Sequence, residues 1–263
     1  MKRLLSIALT FAKVSTQREL SYRGEFAGNF VNAFGVDAFM AVVAVSVIFV
    51  HTDSLRGWSA GEMLAVVGIW YITLGLMSMV MFPSLNQIVE DVHEGLFDYV
   101  LMKPVPSLFL ASTRNFAAAN SAFVLMGLSL ALFGIFALEG GQVSWRIALF
   151  PVLLASGLAI FYALLIAMTT LVFWAVRLDN IEHLFNVFFR TGRYPVDIYP
   201  FWIKGFLTFI FPVAFVSTIP TETLVGRDPS WLMALAPVIA AIAVYGASRF
   251  WKLGLRRYSS ASS

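Results

Sequence analysis

The residues able to do bond-making chemistry are few and scattered. His51, His93 and His183 lie far apart in the chain, and no cysteine is present, so the sequence offers no disulfide framework, thiolate nucleophile or soft metal site. Gly134, Gly140 and Gly141 have neither the lysine nor the strand-to-helix setting of a phosphate-binding loop. An embedded enzyme would need convergent acids, histidines or a nucleophile. Instead Asp37 stands almost alone inside an apolar run. No catalytic or metal-binding residues are expected. A second acidic feature, Glu90, Asp91, Glu94 and Asp98 followed by Lys103, suits recognition of a basic partner by charge rather than catalysis.

These residues are positioned by long apolar segments. Val31–Val50, Met63–Phe82, Phe116–Leu138, Ile147–Val176, Phe201–Pro220 and Trp231–Trp251 are each about as long as the roughly 20 residues a helix needs to cross a hydrocarbon core. With 59% hydrophobic and 13% charged residues, the chain reads as an all-α polytopic membrane protein. Its 263 residues are taken up by a single transmembrane domain, 1–263, with six spans, and no room is expected for a nucleotide-binding domain. The first long apolar segment starts too late, and runs too long, for a removable signal peptide.

A net charge of +3 and a pI near 9.3 would suit a nucleic-acid binder, but the basic residues sort by side of the membrane. With the N-terminus cytoplasmic, 15 lie on the inner side and only Arg56, Arg146 and Arg227 on the outer, which predicts both termini in the cytoplasm and no nucleic-acid partner.

Along the chain, Leu4, Ile7, Ala8, Phe11 and Val14 recur at helical spacing within 2–23, predicting an interfacial helix. Asp37, with Asn32 one to two turns before it, is a possible intramembrane polar site, satisfied by water or by a cation such as Arg23 or Arg114, or set on a substrate path. Ser59 and Glu62 stand in capping-box register. The segment 84–112 predicts an amphipathic cytoplasmic helix or helix pair, ended by Lys103-Pro104. Small residues open the third span, favouring close helix contact, and a Glu139-Gly140-Gly141 turn leads to an overlong fourth segment with Pro151 and Gly157 as candidate breaks. Arg193, Tyr194, Pro195, Tyr199 and Pro200 are placed in a cytoplasmic structural motif too rich in proline to stay helical, with Arg193 reading an acidic partner or lipid headgroups. Pro212 predicts a kink in the fifth crossing. Arg249 to Lys252, Trp251 included, is expected at the inner headgroups, and Ser259–Ser263 is expected to fray.

Several of these stretches together carry a family resemblance. Tyr22-Arg23, Glu94-Gly95-Leu96 with Tyr99-Val100-Leu101 and Lys103-Pro104, Gly192-Arg193-Tyr194-Pro195 with Ile198-Tyr199-Pro200, and Phe211-Pro212-Val213-Ala214-Phe215 resemble the ABC-2 type transporter permeases, in particular a six-span exporter-permease subgroup. The resemblance covers nearly the whole chain. It implies a permease subunit of the bacterial plasma (inner) membrane that pairs with a second permease, identical or a sister protein, and binds two separate ABC ATPase subunits that hold ATP and Mg. It also implies that the segment after span two forms the partner-coupling surface, here Glu90, Asp91, Glu94, Gly95, Leu96, Asp98, Tyr99 and Lys103. The sequence has no attached ATPase and no motif that names a cargo, and export is inferred from the resemblance alone. The competing reading is a non-transporting scaffold or sensor subunit, which would show a similar bundle and docking loop.

Overall fold

A computed structural model describes residues 2–21, 23–137, 145–174, 181–227 and 231–258. The expected turn at Glu139-Gly140-Gly141 and the Ser259–Ser263 tail lie outside the described residues. The helices are α1 (Lys2–Leu20), α2 (Arg23–Val31), α3 (Ala38–Phe49), α4 (Ala60–Val80), α5 (Phe82–His93), α6 (Phe97–Leu101), α7 (Ser107–Thr113), α8 (Ser121–Phe136), α9 (Phe150–Thr170), α10 (Ile181–Thr191), α11 (Phe201–Phe209), α12 (Thr218–Leu224) and α13 (Trp231–Leu255). A π-helical stretch, Asn32–Asp37, joins α2 to α3.

The protein is an all-α, multi-pass membrane protein. Among the described residues, five helical stretches are long and apolar enough to cross a bilayer: Phe26–Phe49, Ala60–Val80, Ala118–Phe136, Ile147–Phe173 and Trp231–Leu255. Where a fifth regular crossing is expected from Phe201 to Pro220, the chain forms a pair, Phe201–Phe209 and Val213–Leu224, bent by 72°. Pro212 sits at this break, because it has no amide hydrogen with which to continue a helical ladder. Pro151 and Gly157 do not break the fourth span. Pro151 lies in the first turn of α9, where a missing donor costs nothing, and at Gly157 a Cβ would stand 2.1 Å from the Phe215 carbonyl oxygen, so this glycine admits the bent pair.

Small residues bring α4 and α8 into backbone contact. Gly68 on α4 faces Gly127 on α8, Gly75 lies against Val124, and Gly134 lies against Gly61 and Ala65; a Cβ on any of these four would lie 2.4–2.6 Å from its nearest neighbouring atom. Such closeness replaces the hydrophobic drive that is absent between helices in lipid. A second pair, α9 and α13, runs in the same direction, with Gly254 against Thr170 and Phe173. Span one is the least enclosed, with 17% of its most apolar window buried against 72% for α4. Trp251 does not face outward at the end of α13. It is buried, and its indole N–H donates to the Ser107 hydroxyl at 3.2 Å.

Candidate functional site

At one end of the bundle the chain turns through α5, α6 and α7. Apolar Leu85 and Ile88 seat α5 inward, and Phe97 and Val100 seat α6. Between them Gly95 takes φ 73°, a left-handed conformation open to glycine at little cost. The Leu96 amide then reaches back to the Asp91 carbonyl at 2.7 Å, closing α5. The segment 84–112 is thus three short helices, and the break falls where the acidic cluster lies.

The cluster divides by face. Glu90, Glu94 and Lys103 are exposed, as are Leu96 and Tyr99, and Leu101 and Met102 widen the same apolar patch. Gly95 is half-buried. Asp91 does not face outward as expected. It is 6% exposed and pairs with Arg114 at 2.6 Å, while Gln87 donates to its other oxygen at 3.3 Å. Its position one turn before the glycine cap points it back at the bundle. Asp98 lies against Tyr258, whose phenol is pushed above its ordinary range by burial and then by that carboxylate.

Beneath this surface Phe97 is fully buried in an aromatic box. Its ring centre lies 5.4 Å from Phe173, 6.2 Å from Trp251 and 5.3 Å from Tyr258. These partners follow or end α9 and α13, so α6 packs against the ends of two spans. On the other side the Ser84 hydroxyl accepts the Asn115 amide at 3.0 Å and donates to its carbonyl at 2.9 Å. A Glu19 carboxylate oxygen accepts the Ala119 amide at 2.9 Å, tying α1 to the start of the third span.

The Arg193 motif lies elsewhere than expected. The amphipathic α10 buries Phe185 and Phe189 among Phe161 and Phe211, and the Phe189 carbonyl accepts the Trp70 indole N–H at 2.9 Å, halfway along α4. Arg193 follows, with its guanidinium carbon 5.3 Å from the Tyr71 ring centre and 5.9 Å from that of Trp70. Pro195 is buried, Tyr194 is half-buried and Pro200 is exposed at the start of α11. Broken helices in lipid need their freed backbone groups satisfied. Here the Tyr199 hydroxyl donates to the Thr191 carbonyl at 3.0 Å, the Ser217 hydroxyl donates to the Gly192 carbonyl, and Thr218 accepts the Val196 amide at 3.1 Å. The motif lies against mid-bundle, with Arg193 beside Trp70 and Tyr71 of α4 and the Val196 amide on Thr218 of α12. Hydropathy misplaces it because Glu182, Asn186 and Arg190 dilute the phenylalanines of an amphipathic helix.

Of the two expected cations, Arg114 does not meet Asp37, and the Arg23 side chain lies outside the described residues. The Asp37 Oδ2 accepts the Asn32 side-chain amide at 2.8 Å, and Arg114 is engaged by Asp91. Among the described residues, Arg193 and Arg190 are close enough for Asp37 to feel their charge.

At the far end the capping box forms: the Ser59 amide donates to Glu62 at 2.8 Å and the Glu62 amide to the Ser59 hydroxyl at 3.4 Å. Arg227 completes a clasp that the sequence reading did not anticipate. It pairs with Glu62 at 2.8 Å, donates to the Gly57 carbonyl and covers the Trp58 ring at 3.9 Å.

Residues 36–262 match the family model described as ABC-2 family transporter protein. The chain belongs to the ABC-2 transporter family. No curated protein matches it. An ABC-2 permease subunit is a non-catalytic membrane component that relies on ABC ATPases for its energy, and among the described residues of this permease no three histidines and carboxylates gather as a metal site would require. In this permease Leu96, Tyr99, Leu101 and Met102 are exposed, Arg193 is half-buried with its Nε and Nη2 atoms enclosed, and Arg227 pairs with Glu62. The sequence held one usable signal for the clasp, a lone outer-side arginine close after the bent pair.

Proposed function

We propose that the chain is the permease subunit of an ATP-driven exporter in a bacterial plasma membrane, and that α5 and α6 form the helix pair on which a partner ATPase docks. Two ATPase subunits, carrying ATP and Mg, serve a dimer of permeases, and the partner permease is a second copy or a sister chain. Both termini and the α5–α6 surface lie in the cytoplasm, with α1 along the inner membrane surface. Placing Arg193 and Lys204 away from that side leaves 13 basic residues inside against 5, so the orientation does not depend on them.

One arrangement carries this reading. Leu96 and Tyr99 are 42% and 62% exposed, on a helix whose Phe97 is 0% exposed and plugs the aromatic box at the ends of two spans. An apolar pair rimmed by Glu90 and Glu94 fits a groove with basic edges, the buried plug passes its movement inward, and complementary charge fixes the register of docking.

The experiment co-purifies the permease with its ATPase and measures nucleotide turnover and transport on one preparation. Leu96→Ala with Glu94→Lys should lower ATPase association at least tenfold while insertion and thermal stability stay unchanged. Normal association, turnover and transport in that variant would sink the docking assignment. A complex that binds ATPases but never moves solute would favour a scaffold subunit.

A further inference from the structure

Arg193 is a cation set among span helices. Its Nε and Nη2 atoms are buried and have no hydrogen-bond partner among the described residues. The faces of Trp70 and Tyr71 stabilise the charge, but ring faces leave the directed N–H groups of a guanidinium without acceptors. Such a fork matches the oxygens of a carboxylate or phosphate. Asp37 is near enough to feel Arg193 and Arg190, yet its Oδ2 is held by Asn32 at 2.8 Å, and no ion pair joins it to either arginine among the described residues.

Two further observations converge on the same place. Asp37 ends a π-helical stretch, Asn32–Asp37, and such irregular turns recur at functional sites. The span that carries it is also the least enclosed in the bundle, with Phe34 and Val36 exposed on either side of Gly35. The polar site is therefore separated from lipid by the span with the fewest packing constraints.

We propose that Arg193, backed by Trp70 and Tyr71, is the recognition point for the anionic group of an amphiphilic cargo that enters from the membrane beside span one. This deepens the transport reading above and rests on it, naming the cargo class as amphiphilic anions. The anion accepts the free N–H groups of Arg193 and its apolar body lies along Phe34 and Val36. Span one moves aside to admit it. Asp37 opposes the anion by charge and offsets one of the two nearby arginine charges, so removing it strengthens binding.

The test uses the full chain in nanodiscs of zwitterionic lipid and measures saturable binding of radiolabelled decyl phosphate, with empty discs subtracted. Decyl maltoside, decyltrimethylammonium and inorganic phosphate serve as competitors. Decyl phosphate should bind at least tenfold tighter than any of the three. Arg193→Gln should lose tenfold or more, Arg193→Lys less, and Asp37→Asn should gain severalfold. Equal binding by native protein and Arg193→Gln overturns the proposal. If Arg193→Gln does not fold, Asp37→Asn decides, because unchanged or weakened affinity there has the same consequence. Inorganic phosphate competing as well as decyl phosphate overturns the amphiphile assignment, and abolition of binding by phosphatidylglycerol in the disc assigns the site to a lipid headgroup and overturns the cargo. No ATPase is present in this assay. Failed anion binding beside normal ATPase docking removes this inference alone, whereas failed docking beside normal anion binding removes the permease reading.

Discussion

The Trp70 indole N–H and the Phe189 carbonyl meet at 2.9 Å across 119 positions of sequence, and this bond fixes the end of α10 to the middle of α4. Trp70→Phe keeps an aromatic ring but removes this donor, leaving the carbonyl with the Gly192 amide at 3.1 Å. A cost of about 0.5–1.5 kcal/mol is expected for the lost bond, read as a lower melting temperature in detergent. Trp231→Phe, at a residue 63% exposed, should melt like the native protein.

The same bond predicts sidedness. The sequence contains no cysteine, so single cysteines can be introduced without background. Lys204→Cys, at a side chain 48% exposed, should react with an impermeant maleimide from the same side of intact cells as Asp53→Cys, and Tyr99→Cys only after lysis. Labelling of Lys204→Cys together with Tyr99→Cys would return the Arg193 motif to the cytoplasm.

Asp91 and Arg114 form a pair whose side chains are 8% and 17% exposed. Removing one partner strands the other charge, so Asp91→Asn or Arg114→Gln should each destabilise by about 3–5 kcal/mol. The double variant should lose less than the sum of the two single changes, because the second substitution removes the stranded group. Chemical denaturation of all four proteins in one detergent measures the coupling, and strict additivity would show that the two side chains act independently.

Gly68→Ala should destabilise by about 1–3 kcal/mol, because its new methyl would lie 2.4 Å from the Ala131 backbone nitrogen. Gly28→Ala meets nothing within 4 Å and sits in a helix, so it should be neutral or stabilising by about 0.4–1 kcal/mol. Thermal melting of the two variants side by side is sufficient, and equal melting would mean that α4 and α8 do not touch as described.

The spans were legible because about 20 consecutive apolar residues leave a helix few alternatives in water or lipid. The Ser59–Glu62 cap and the break at Pro212 were legible because each rests on backbone chemistry within a few residues. What stayed hidden depends on distant partners. Asp91 reads like Glu90 until Arg114 folds beside it, and Trp251 reads like an interfacial anchor until Phe97 and Phe173 enclose it. The Arg193 motif was misplaced for a related reason: a window average treats α10 as polar, whereas its phenylalanines share one face and enter the core together.

The glycine contact between α4 and α8 also limits how the molecule can move. Two rods whose main chains touch have no side-chain cushion to slide upon, and a small axial slip would drive Cβ atoms into carbonyl oxygens. That pair acts as a keel. Any stroke that carries solute across must then swing lighter parts around it, above all the loosely enclosed first span. The travel of cargo would be measured against a fixed axis rather than shared evenly among helices.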